Sequence, residues 1–167
     1  EPLRKPVVMA VQGFCYTAGV ELLLNSDIRV AANNTRFAQL EVRRGFHACG
    51  GATFRLPIEI GWANAQRYLL TGDEWSAQQA FEWGMVQELV EPGRQLDAAV
   101  NIAEKIARSA PLGVQGSLMS SRYTRKIIES EAKLNLFSDL KPVMESDDMK
   151  EGLSSFLERR EARFSGR

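Results

Sequence analysis

A run of β-branched and small apolar residues, Val7-Val-Met-Ala-Val11, hands over through Gly13 to Ala18-Gly-Val-Glu-Leu-Leu-Leu24, an apolar helical stretch interrupted by one carboxylate. The first run has the continuous apolar character of a strand covered on both faces. Gly13 breaks it, and the second run reads as a short buried helix. A buried strand leading to a buried helix requires a layered core rather than a simple bundle.

The pattern continues along the chain. Asp27-Ile-Arg-Val-Ala31 alternates polar and apolar residues, as a half-buried strand does. Asn33-Asn34 signals a turn, and Thr35 to Ala38 a second short strand. Gly45 to Pro57 is rich in small residues and leads into a short helix stopped near Pro57. Trp62 to Leu70 has helical spacing and ends at Thr71-Gly72. Ser76 with Gln79 forms a capping box for a helix through Trp83. Met85 to Val90 reads as a strand, and Leu96, Ala99, Val100, Ala103 and Ile106 as the apolar stripe of the next helix. Pro111 stands at a helix start, and Asp147 or Asp148 is placed to cap a last helix bearing Met149, Leu153, Phe156 and Leu157. The order predicts an α/β or α+β body, residues 1–108, followed by a helical region, 109–167. The apolar face of the last helix needs a partner surface, in this chain or another subunit.

Composition narrows the function. Lysine plus arginine balance aspartate plus glutamate, 21 against 21, so no global charge draws the chain to nucleic acid or an anionic membrane. No apolar run approaches the roughly 20 residues needed to span a bilayer, and no signal-peptide pattern is present. Cys15 and Cys49 are the only cysteines and His47 the only histidine, which leaves no zinc spacing and no histidine-rich metal site. A reduced, cytoplasmic setting is the simplest reading. The chain opens Glu-Pro-Leu-Arg-Lys-Pro and runs at once into an apolar strand, which reads as a cut through a larger protein.

Few residues offer chemistry. The helix opening at Ala18 presents backbone N–H groups without internal partners, and Gly13, Ala18 and Gly19 let a ligand come close; such a turn either holds a developing oxyanion or simply packs. Glu21 lies on an exposed stripe of its helix or is buried for a reason, since an unpaired buried carboxylate costs several kcal/mol. Glu41, taken alone, reads as a solvated or salt-bridged residue, and Arg43-Arg44 as a solvated pair. His47 and Cys49 precede Gly50-Gly51, where Cys49 reads as a small packed residue. Serine-hydrolase, P-loop and zinc-protease motifs are absent.

In their order these segments resemble the crotonase superfamily, the enoyl-CoA hydratase/isomerase family. The resemblance rests on Lys5-Pro-Val-Val-Met-Ala-Val-Gln-Gly13, Ala18-Gly19-Val-Glu21-Leu, Asp27-Ile-Arg-Val-Ala31, Phe37-Ala-Gln-Leu-Glu41, Gly50-Gly51-Ala-Thr53, Arg55-Leu56-Pro57, Leu70-Thr-Gly72, Ala77 to Val90, and Glu151-Gly152 with Phe156-Leu-Glu-Arg-Arg160. It covers nearly the whole chain and corresponds to about the last two thirds of a typical member, without the N-terminal units that supply much of the CoA site.

The resemblance implies a spiral of ββα units with a helical C-terminal trimerisation region, as a trimer or a dimer of trimers. It implies an acyl-CoA thioester substrate, with CoA as part of the substrate, no separate cofactor and no metal. Glu21 and Glu41 fall on the two glutamates of the family's hydratases, and Ala18 on a backbone oxyanion donor. The implied activity is addition of water across the C2–C3 double bond of a 2-enoyl-CoA. The alternatives are another acyl-CoA isomerase or dehydratase of this type, or a truncated, non-catalytic member. Thr17-Ala18-Gly19 replaces three glycines, Leu40 a proline, and Ala48-Cys49 a proline–glycine pair. With His47, these positions imply an altered acyl pocket.

Overall fold

The computed structural model describes residues 3–167; Glu1 and Pro2, the start of the opening that reads as a cut, lie outside the described residues. Strand β1 (Val8–Val11) leads across Gly13 into β2 (Phe14–Tyr16), helix α1 (Ala18–Leu24) returns the chain to β3 (Ile28–Ala32), and Asn33-Asn34 turns it into β4 (Arg36–Ala38). β3 lies parallel to β1 with Ile28 beside Val8, and β4 parallel to β2 with Arg36 beside Phe14. Each turn of this spiral therefore consumes 20 to 22 residues. The corner of the turn is fastened by Asp27, whose Oδ2 accepts the Val7 N–H at 2.7 Å while its own N–H donates to the Val7 carbonyl at 3.0 Å.

A 3₁₀ turn (Glu41–Arg44) follows, then α2 (Ala52–Ile60), α3 (Trp62–Thr71), β5 (Trp75–Ser76), α4 (Ala77–Glu82) and β6 (Glu88–Val90). β6 extends the first sheet to the order β1-β3-β6, and β5 completes the second, β2-β4-β5, antiparallel to β4. α5 (Gln95–Ala107) packs on β1 and β3, and α6 (Pro111–Met144) and α7 (Asp147–Leu157) complete the chain. This is the α/β spiral of ββα units that the sequence resemblance implies.

The core lies between the sheets and α1 to α4. Val20, Leu23 and Leu24 of α1, Phe37 of β4, Leu56 of α2 and Trp75 of β5 are buried within it, and the Phe37 and Trp75 rings stack at 5.8 Å. Complete burial of such side chains contributes roughly 1.5–3 kcal/mol each. The capping box at Ser76 and Gln79 forms as the spacing predicts.

Four local expectations are corrected, and one strand is added. β3 is not half-buried: Arg29 points inward and is 3% exposed. α2 does not stop at Pro57 but runs on to Ile60, where Gly61 ends it. An interior proline costs about 3 kcal/mol, and here the burial of Leu56 and Ile60 in the core offsets it. β2 was not anticipated, because three residues show no periodicity and only pairing with β4 makes them a strand. On α5 only Ala99 of the expected stripe is buried, while Leu96 and Val100 face outward. The cap of α7 is Ser146, whose hydroxyl accepts the Met149 N–H at 3.1 Å; Asp147 and Asp148 lie in its first turn instead.

Arg29 takes the place of water at the C-terminal end of α1. Its guanidinium donates to the carbonyls of Leu23 at 2.9 Å, Leu24 and Ser26 at 3.3 Å and Met85 at 3.1 Å, and pairs with Glu59 at 2.9 Å. A cation there also complements the helix dipole. Replacing Arg29 with alanine strands those carbonyls and Glu59, and is expected to cost about 3–5 kcal/mol. Urea unfolding measures this. Arg29→Lys is expected to recover little, because one ammonium cannot reach four carbonyls.

Candidate active site

α1 begins after Thr17, which holds a left-handed backbone (φ 49°, ψ −116°) that side chains rarely adopt. Such a residue stores of order 1–3 kcal/mol and persists only where its surroundings enforce it. The clamp is β4, whose Ala38 carbonyl accepts the Thr17 N–H at 2.8 Å. Ala18 then opens the helix, exposed, with an N–H that has no partner inside the helix.

Glu21 is buried, 8% exposed, so the exposed-stripe alternative does not hold. Its Oε1 accepts the N–H groups of Gly50 at 2.7 Å and Ala52 at 3.1 Å. Ala52 is the first residue of α2, so this carboxylate sits at the positive end of that helix. Its approach depends on Gly50 having no side chain: a Cβ there would stand 2.3 Å from Glu21 Oε2.

Glu41 opens the 3₁₀ turn directly after β4 and is 5% exposed, contrary to the solvated reading. The side-chain amide of Gln39, itself buried, ends 2.9 and 2.8 Å from the two Glu41 oxygens, and donates to both when its nitrogen is the atom turned toward them. No cation pairs with Glu41 among the described residues. Burial, reinforced by the nearby negative charge of Glu21, pushes its carboxyl up from 4.5 to about 7.

Glu41 borders a cavity of about 260 Å³, lined also by Gln39, His47, Ala48, Thr53, Gln66 and Leu69. His47 and Ala48 were among the expected pocket residues; Thr17, Gly19, Leu40 and Cys49 do not line this cavity, nor does Glu21. The two carboxylates nevertheless converge on one loop. Glu21 holds its residues 50 and 52, Glu41 faces its residues 47 and 48, and Cys49 between them has its thiol pushed up by burial and then by both carboxylate charges. This environment disfavours the thiolate at Cys49.

Gln39, Thr53 and Gln66 were not singled out from sequence. Gln39 offers the one available signal, a polar residue directly after Phe37-Ala38 and two positions before Glu41. A larger hollow of about 770 Å³ lies between α7 and the C-terminal tail, where Asp148 and Glu151 are already engaged by the tail and Arg160. Among the described residues, no cluster of three or more His, Cys, Asp or Glu is placed to hold a metal ion, and no helix is long and apolar enough to cross a membrane.

A ββα spiral presenting two buried carboxylates to one loop defines an α/β class of protein, and comparison with known proteins gives the family. The chain belongs to the enoyl-CoA hydratase/isomerase family, whose sequence model matches residues 2–167. It is 37% identical to the enoyl-CoA hydratase EchA19 of Mycobacterium tuberculosis over 99% of this chain and 62% of that protein. It is 35% identical to the (E)-benzylidenesuccinyl-CoA hydratase of Thauera aromatica over 97% of this chain and 63% of that protein. Among solved structures, a carnitinyl-CoA dehydratase from Mycobacterium avium 104 superposes with a TM-score of 0.92 at 35% identity, covering 99% of this chain and 66% of that one. The chain thus spans somewhat less than two thirds of these relatives' length.

The raised carboxyl of Glu41 has a consequence for folding. The folded state holds a proton there that the unfolded state releases near 4.5, so the stability from this group is complete below 4.5 and lost as pH rises through about 7. Glu41→Gln is expected to flatten the fall in unfolding free energy across that window, as denaturant titrations at several pH values will register. Gly50→Ala is expected to expel the Glu21 carboxylate from its amides and to cost about 1–3 kcal/mol, read by thermal melting.

Proposed function

We propose that this chain carries the acid–base half of a 2-enoyl-CoA hydratase, adding water across the C2–C3 double bond of a CoA thioester. One observation carries the reading. Two buried carboxylates, a spiral turn apart, meet at one loop, one anchored by backbone amides and the other raised to about 7. An acid poised near neutral pH can give and take a proton there.

Glu21 orients the water and takes its proton as the C3–O bond forms. The displaced π electrons move onto the thioester oxygen as an enolate, which the Ala18 N–H stabilises. In family members a second amide for this oxygen comes from the part of the fold that this chain does not span. Glu41 delivers its proton to C2 as the enolate collapses, and solvent returns the proton from Glu21 to Glu41. The chemistry needs neither metal nor cofactor, since CoA arrives with the substrate. Thr17, Gly19, Leu40, His47, Ala48 and Cys49 are proposed to shape the acyl side of the site, with a substrate other than a standard short chain.

The carnitinyl-CoA dehydratase of Proteus mirabilis, 34% identical over 99% of this chain, favours a second reading, dehydration by the same residues in reverse. Exposed Tyr123, Ile127, Leu134 and Phe137 on α6 support assembly through residues 109–167, as a trimer or dimer of trimers. Two free cysteines suit a reducing, cytoplasmic setting.

Loss of the conjugated-thioester absorbance of crotonyl-CoA, or of longer and branched enoyl-CoAs, tests the activity. Glu41→Gln is expected to lower kcat at least about a hundredfold; near-normal turnover would remove Glu41 from the mechanism. Sedimentation velocity is expected to show a trimer or hexamer, and a monomer at micromolar concentration would refute the assembly.

A further inference from the structure

We propose that Arg55 is a positioning residue for Glu21, and that Glu129 on α6 locks it in place. The inference rests on the reading of Glu21 as an acid–base group and deepens it.

Arg55 is 8% exposed and uses all three of its guanidinium nitrogens. Nη1 donates to the Gly50 carbonyl at 3.0 Å, while Nε and Nη2 hold the two oxygens of Glu129 at 3.0 and 3.1 Å. Gly50 in turn donates its N–H to Glu21 Oε1 at 2.7 Å. A single residue thus separates the guanidinium from the carboxylate that the chemistry uses. Gly50 needs this fastening: it is followed by Gly51 at φ +112°, and a glycine pair is the most freely rotating backbone a chain has. Space around the anchor is committed too, since a Cβ on Gly51 would stand 2.4 Å from Arg55 Nη1.

Glu129 is 3% exposed and holds Arg55 rigidly because it is itself over-determined. Arg125 Nε reaches it at 2.6 Å and Lys133 Nζ at 2.6 Å, both one helical turn away on α6. Burial opposes its charge, yet hydrogen bonds from Arg55, Lys133 and Arg125 hold its carboxyl at about 2, so it is ionised at any working pH. Arg125 also donates to the Leu24 carbonyl at the end of α1. α6 therefore grips Glu21 from two sides: its helix through Arg125, and its amide anchor through Arg55. The bidentate fork with a third N–H free for Gly50 is a geometry that lysine cannot reproduce.

The test is amide hydrogen exchange on the unliganded protein, with kinetics on the same samples for the enoyl-CoA that the unsubstituted protein hydrates fastest. In folded Arg55→Lys, exchange at the Gly50 and Ala52 amides is expected to accelerate at least about tenfold, while amides of β3 keep their protection. The kcat is expected to fall about a hundredfold with KM within about twofold, the signature of a misplaced group rather than lost binding. Unchanged exchange at Gly50 and Ala52, or a fall in melting temperature with kcat preserved, overturns the proposal. If Arg55→Lys does not fold, Glu129→Gln keeps Arg55 and removes its lock, and the same accelerated exchange is expected there. Exchange needs no substrate. Accelerated exchange in a protein that hydrates no enoyl-CoA would leave the anchor standing and defeat the hydratase reading; unchanged exchange in an active protein would defeat the anchor alone.

Discussion

The parallel pairing of successive chain turns is the constraint on which the rest depends. β3 lies on β1 and β4 on β2 because the chain climbs one strand spacing every 20 to 22 residues. Glu21 and Glu41 are separated by almost the same interval. A side chain projecting from one turn therefore has its counterpart on the next turn, near the same loop. Parallel strands leave both faces to be covered. The burial of Val20, Leu23 and Leu24 in one core with Phe37 and Leu56 supplies that cover.

Charge placement sets two buried carboxylates apart. Glu41 and Glu129 are comparably buried, at 5% and 3% exposure, yet their carboxyls move in opposite directions. Glu129 is surrounded by three cations and stays ionised. Glu41 has an uncharged amide beside it and another carboxylate nearby, so burial dominates. A charge neutralised by three partners is fixed in place, whereas one left near its titration point can exchange a proton. The fold spends its buried arginines, Arg29 and Arg55, on backbone carbonyls at the ends of the elements that carry Glu21 and its anchor.

Much of the local structure was legible in the residues. The helix stop at Gly72, the capping box at Ser76 and the start at Pro111 follow from short-range hydrogen bonding and backbone freedom, and the structure has all three. Alternation along a strand assigns Arg29 to the solvent, whereas the carbonyls at the end of α1 and that of Met85, past the end of α4, satisfy its guanidinium. Pro57 misled for a related reason: the rule about its ring weighs one lost hydrogen bond and cannot weigh the core that Leu56 and Ile60 enter. β2 has no signature outside its pairing. Glu129 carried a readable signal in its spacing, with Arg125 and Lys133 four residues to either side, but that pattern is equally at home on a solvated helix face.

The residues by themselves determined the order of the helices and longer strands, most helix ends, and the family with its two candidate glutamates. Those follow from interactions a few residues long and from an ordered series of motifs. Only the tertiary structure decided that both glutamates are buried, that one rests on the amides of Gly50 and Ala52 while the other is raised, and that α6 reaches back to Arg55. Each of these depends on groups 20 to 74 residues apart in the chain. Desolvation and hydrogen-bond geometry at that range exist only once the spiral has closed.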